Sequence, residues 1–155
     1  MSMLAPTADL ATADLVRLES VLLGPLDIRP DTIFTFAAGL PGFVALRHFA
    51  LVDTQRDDLV WLQSVDDPEL TFLLADPFTA VPGFTVDIPA PDLAAIGSDA
   101  SHASLVVLVV TQLDGGMPVA ANLQSPIILD RDRRVGRQVV LPDSRYGMHH
   151  PLSFR

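Results

Sequence analysis

Apolar and polar residues alternate along this chain in short runs that Pro and Gly repeatedly interrupt. Leu15 to Leu23 alternates imperfectly and Gly24-Pro25 punctuates it. Leu26 and Ile28 then alternate with Asp27 and Arg29, and Ile33 and Thr35 share one face of Thr32 to Phe36. Period-two runs bounded by turn formers predict half-buried strands. The same reading places strands at 48–52, 59–65, 70–75, 84–88, 105–113, 119–123, 126–130 and 135–141. One segment reads as helix: Pro91 to Ile96, with Asp92 in its first turn and Gly97 at its end.

Leu105 to Thr111, LVVLVVT, is too continuous for a strand with one wet face and too short for a membrane span, so it predicts a central strand covered on both faces. Pro89, Pro91 and Pro118 flank strands instead of interrupting them, as the missing N–H requires. Many short strands at this spacing favour a barrel or sandwich over an α/β fold. The expectation is an all-β, single-domain antiparallel β-barrel-like fold with one short helix. It covers residues 15–155, behind a flexible Ala-rich N-terminal extension at 1–14.

With 155 residues, 49% apolar and 19% charged, the chain has the composition of a folded globular domain. Absence of cysteine excludes disulfides and thiolate metal sites. No charged segment followed by an apolar one opens the chain, and no apolar run reaches spanning length; the expectation is a cytoplasmic protein without membrane attachment. Charge is divided unevenly. Residues 1–130 hold four arginines against seventeen carboxylates, a balance of −13, whereas residues 131–155 hold six arginines against two, a balance of +4. An acidic body repels phosphates, so direct nucleic-acid binding is not expected and a basic protein partner suits it better.

The segment Trp61 to Phe78, WLQSVDDPELTFLLADPF, places Asp66-Asp67-Pro68-Glu69 between two apolar runs and ends on Asp76-Pro77. Asp accepts from backbone donors two residues on and Pro fixes φ, so both sites read as turns that halt a strand. Asp66 and Asp67 as a general acid and base pair is the sharper reading. Adjacent turn carboxylates more often cap backbone or meet a partner. His149-His150, with His48 and His102, invites a metal, but adjacent residues in an extended segment project oppositely; His150 reads as a packed C-terminal anchor. Ser64, Ser125 and Ser144 carry no nucleophile elbow, and no phosphate-binding glycine motif occurs. No cofactor, metal or catalytic residue is expected. The arginines at 131, 133, 134 and 137 read as a solvated hairpin loop, with a phosphate or acidic-peptide site as the alternative. Most aromatics belong to the core. Phe43 and Phe78 follow turn formers and are candidates to stand outward as anchors.

Five blocks stand together in order: Gly39-Leu-Pro-Gly-Phe43, the Asp66-Asp67-Pro68 to Asp76-Pro77-Phe78 segment, Asn122-Leu-Gln-Ser-Pro126, Gly136 to Leu141, and Ser144-Arg-Tyr146 with His150-Pro151. This array resembles the flagellar assembly factor FliW family from about residue 15 to 152. The resemblance implies a non-enzymatic β-barrel regulator that binds newly made flagellin and, once flagellin is exported, binds the CsrA-type translational repressor and antagonises it. It implies partner-binding roles at Phe43, Asp66, Asp67, Pro68, Glu69, Asp76, Pro77, Phe78, Asn122, Pro126, Tyr146 and His150. Three positions depart from the usual pattern, in which the first block is preceded by Phe-Pro-x: Ala37 where Pro often stands, Asp130 where Asn often ends a strand, and His149 where Arg often precedes His-Pro. Two other readings stay open: a barrel with a small-ligand cavity, and a hydrolase using Asp66 or Asp67 in a cleft with a raised pKa.

Overall fold

The computed structural model describes residues 14–97, 104–142 and 145–152. Almost all of the expected extension lies outside them, as do His102 and Ser144. In chain order the elements are β1 (Val16–Ser20), β2 (Gly24–Ile28), β3 (Ile33–Thr35), β4 (His48–Asp53), β5 (Leu59–Ser64), β6 (Thr71–Ala75), α1 (Pro77–Ala80), α2 (Ala90–Ala95), β7 (Leu105–Asp114), β8 (Met117–Ala121), β9 (Ile127–Asp130), β10 (Val135–Gln138) and β11 (His150–Pro151). β1 and β2 form a separate antiparallel hairpin. The remaining strands run β11-β8-β7-β6-β5-β4-β3-β10-β9, and β9 returns to β7, closing a barrel of seven strands.

Closure departs from the expected antiparallel order at one place. Every ring neighbour is antiparallel except β3 and β10, which meet in parallel through Thr35 and Val135. An odd number of strands cannot alternate direction all the way round, so one parallel seam is unavoidable. Here it is short, held by the Thr35 N–H donating to the Arg134 carbonyl at 2.9 Å.

β7 carries the architecture. One edge pairs with β6, while the other pairs with β9 over Leu105–Leu108 and with β8 from Thr111 onward. Its alternate side chains serve different layers. Val106, Leu108 and Val110 join Phe34, Phe36, Phe49, Leu62, Leu74, Ile127 and Leu129 inside the barrel. Leu105, Val107 and Val109 face outer clusters roofed by the 81–96 segment and by Val139, Leu141, Tyr146 and Leu152. The continuous apolar run thus follows from cover on both faces. β10 faces the lumen with Gly136, where a Cβ would lie 2.5 Å from the Phe36 ring and 2.7 Å from Leu129. Phe36 and Phe49 meet edge to face at 5.2 Å beneath it.

Four local expectations change. Residues 84–88 alternate as expected, with Phe84, Val86 and Ile88 turned inward, yet they pair with no strand; their packing partners are the outer clusters and not a ladder. Residues 77–80 form a short helix where a strand stop was expected, because Asp76 accepts the Phe78 N–H at 3.0 Å and Pro77 sits at the first helical position. Trp61 lies on the barrel's outer face beside Leu73 and Leu59, half-buried. Finally, Gln63, which with Ser64 ends the apolar run of β5, is fully buried. It accepts from Ser20 Oγ at 2.6 Å and Thr71 Oγ1 at 2.7 Å and donates to the carbonyls of Ser64 and Leu70, which fastens the β1–β2 hairpin to the barrel.

Candidate partner-binding surfaces

The expected site residues gather into two regions. One end of the barrel is plugged by the loop from β3 to β4. In it Leu40-Pro41-Gly42-Phe43 makes a tight turn, the Phe43 N–H donating to the Leu40 carbonyl at 2.7 Å, and Gly42 takes the positive φ of 84° that a type II turn requires after Pro. Gly39 permits the return of the loop, since a Cβ there would meet Val44 Cα at 2.7 Å. Phe43 is exposed on its outer side and rests edge-on against Phe72 at 6.0 Å.

The Asp66 to Glu69 turn joins β5 to β6 at the same end. Asp66 is not a free surface charge: its Oδ2 accepts the N–H groups of Arg47 at 2.9 Å and His48 at 3.0 Å, and the His48 ring lies 3.2 Å away. Burial pushes this carboxyl up, but the two backbone donors and the imidazole outweigh it and hold it below the ordinary carboxylate range. That is the reverse of the raised carboxyl a hydrolase would need. Asp67 accepts the Glu69 N–H at 2.9 Å, and its own N–H donates to Ser64 Oγ. Pro68 offers its carbonyl to the Val21 N–H at 3.0 Å, which brings the exposed Val21 and Leu22 of the hairpin tip beside the turn. Among the described residues no cation pairs with Asp67 or Glu69. The result is an apolar and acidic platform on a fixed frame.

The second region is a row of rings on the outer face. Phe78 packs against Phe84 at 5.2 Å, Phe84 against Tyr146 at 5.1 Å, and Tyr146 against His150 at 5.8 Å. Phe78 ends the row and is 54% exposed, so this aromatic stands outward on the Asp76-capped turn. The Tyr146 hydroxyl accepts from Arg145 at 3.1 Å, and that guanidinium draws the phenol below its ordinary range. Asn122 bonds the N–H groups of Gln124 and Ser125, shaping the turn into β9.

Pro77 and Pro126 need correction as contact residues. Both are buried, so they set backbone direction and offer no side-chain surface. The arginine group does not converge either: Arg137 pairs with Asp92 at 2.7 Å, while Arg134 donates to the Pro30 carbonyl. Among the described residues no three His, Asp or Glu groups are placed to hold a metal, and no helix is long and apolar enough to cross a membrane. The lumen, where a small ligand would sit in a larger barrel, is filled by the core side chains. Sequence reasoning missed Phe84, which links Phe78 to Tyr146; its position two residues before Val86 on an alternating segment was the available signal.

The profile of the FliW protein family matches residues 17–152. The chain belongs to the FliW family. Among relatives named flagellar assembly factor FliW, that of Symbiobacterium thermophilum is 36% identical over 124 residues, covering 79% of this chain and 90% of the relative. That of Moorella thermoacetica is 37% identical over 131 residues, covering 83% of each. A crystal structure of the flagellar assembly factor FliW matches with a TM-score of 0.79 at 27% identity, over 88% of this chain and 96% of that one. The FliW blocks quoted from the sequence account for the turns at both regions: Gly39 to Phe43 and Asp66 to Glu69 at the plugged end, Asp76 to Phe78 and Tyr146 to His150 along the ring row.

Proposed function

We propose that this protein is a cytoplasmic, non-enzymatic flagellar assembly factor that switches between two protein partners, flagellin and a CsrA-type translational repressor. Free protein binds the repressor and frees flagellin messenger RNA for translation; bound flagellin returns the repressor to the RNA. The observation that carries this reading is the family match across residues 17–152. The separation of the exposed candidates into two regions supports it, because a switch needs surfaces of different chemistry. An RNA-gripping repressor presents cationic surface, which suits Asp67 and Glu69 at the plugged end. A helical flagellin segment presents an apolar stripe, which suits the Phe78 ring row.

Titration calorimetry with flagellin, with the repressor, and with the repressor after saturation by flagellin tests the switch. Submicromolar binding to each, with flagellin suppressing the second, is expected; no binding to either removes the reading. Glu69→Gln leaves every intramolecular bond described at the turn in place, so it isolates charge. It should weaken repressor binding and flatten its salt dependence while leaving flagellin affinity unchanged. An unchanged salt slope removes this end from the repressor interface.

A further inference from the structure

Thr85 to Ile88 presents an unpaired polypeptide edge. Its side chains alternate as in extended backbone, Phe84, Val86 and Ile88 inward, Thr85 and Asp87 outward. The Thr85 N–H is taken by the Tyr146 hydroxyl at 3.4 Å, but among the described residues the N–H groups of Val86, Asp87 and Ile88 and the carbonyls of 84–88 have no partner. Beside this edge runs a groove of about 580 Å³ lined by Val86, Asp87, Pro89, Leu141, Pro142 and Arg145. Arg145 directs only Nη2 to neutral oxygens, Tyr146 at 3.1 Å and Thr85 Oγ1 at 3.4 Å, leaving Nε and Nη1, and it meets no carboxylate among the described residues.

We propose that this groove accepts an extended segment of a protein partner as an added strand along Val86–Ile88, with a side-chain carboxylate of that segment on Arg145. The edge specifies the main chain: a row of donors and acceptors in alternation is satisfied by another extended backbone, as in strand-addition recognition. Arg145 specifies the charge, since a planar fork with free donors takes a carboxylate in paired hydrogen bonds. Val86 and Leu141 give the floor on which alternate apolar side chains rest. A second copy of this chain is a poorer occupant, because antiparallel pairing of two such edges brings the two Asp87 carboxylates together and two chains of −9 repel.

The test uses the full chain, ¹⁵N-labelled, and acetylated, amidated Thr-Val-Glu-Val-Thr as probe. Without peptide, the amides of Val86, Asp87 and Ile88 should exchange within seconds. Peptide at millimolar concentration should shift all three, together with Leu141 and Tyr146, and protect Val86 and Ile88, whose N–H groups share one edge, more than Asp87, whose N–H points to the edge on which Tyr146 takes Thr85. A peptide with Lys for Glu should bind at least fivefold more weakly, one N-methylated at alternate amides should not bind, and Arg145→Gln should remove the Glu preference while leaving main-chain protection. Arg145 is exposed, so the variant keeps the fold. Shifts elsewhere, no shifts, equal binding of the Lys or N-methylated peptide, or protection that grows with protein concentration in the absence of peptide would each overturn the proposal.

Discussion

Gly136→Ala tests the seal between the two ends of the barrel sheet. The added Cβ would stand 2.5 Å from Phe36 Cζ and 2.7 Å from Leu129 Cδ2, where carbon atoms normally keep about 3.5–4.0 Å. Roughly 1 Å of movement is therefore demanded of a ring that is fully buried and already packed on Phe49 at 5.2 Å. Gly136 also belongs to β10, paired residue for residue with Leu129 of β9, so backbone retreat would open the ladder that closes the ring. Overpacking of this kind costs about 1–3 kcal/mol. With a urea slope of about 2 kcal/mol per molar, a loss of about 2 kcal/mol lowers the unfolding midpoint by about 1 M. Equilibrium urea unfolding followed by Trp61 fluorescence reads it. The Phe36→Leu and Gly136→Ala double variant should recover part of the loss, with a coupling of about 1 kcal/mol, because removing ring atoms makes room for the Cβ. A midpoint within about 0.2 M of the parent for Gly136→Ala alone would show that the contact is not tight and would refute the sealing argument.

Asp66 gives a pH prediction. Its carboxyl is held below its ordinary value, so it stabilises the fold fully above the unfolded pKa near about 4 and loses that contribution as pH falls through the lower folded value. The urea midpoints of parent and Asp66→Asn should differ at pH 6 and converge toward pH 3; a constant difference would show that charge is not what Asp66 supplies. Ser20→Ala removes the donor to buried Gln63 and the acceptor of the Leu23 N–H, and should cost about 1–2 kcal/mol. Hydrogen exchange should then accelerate across residues 16–28 before the barrel strands; uniform acceleration would mean that the hairpin is not separately fastened. Phe78→Ala, at an exposed ring, should change the unfolding free energy by no more than about 0.5 kcal/mol while weakening flagellin binding at least tenfold; intact binding would move the flagellin surface elsewhere.

What the sequence made legible was what depends on near neighbours. The strands from 48 to 75 follow from alternation bounded by Asp-Asp-Pro and Asp-Pro, and the long β7 from its uninterrupted apolar run. The missing strand at 84–88 shows the limit of that signal, since alternation reports a covered face and says nothing of whether a neighbour supplies hydrogen bonds. The double role of Asp66 was hidden for a different reason. Its donors, Arg47 and His48, are nineteen and eighteen residues away, and nothing local announces that a turn carboxylate will hold a distant loop. Gln63 was equally opaque, because a polar residue in a strand normally marks the wet face and only the hairpin from residues 16–28 makes that position dry. Phe78 was readable as an outward ring from its place after Pro77, but its continuation through Phe84 to Tyr146 spans 68 positions and needed coordinates.

The parallel seam between Thr35 and Val135 has a consequence for synthesis on the ribosome. The strand that closes the ring against β3 is encoded a hundred positions later, and Phe36 waits for Gly136 to cover it. Pairings at such separation form slowly and late. A nascent chain that has not yet emitted β10 carries the Gly39 to Phe43 loop and the Asp66 turn without the closed cylinder beneath them, so only a finished chain holds the platform rigid. An interrupted translation product thus leaves an open sheet edge at β3, the edge that β10 covers in the finished chain.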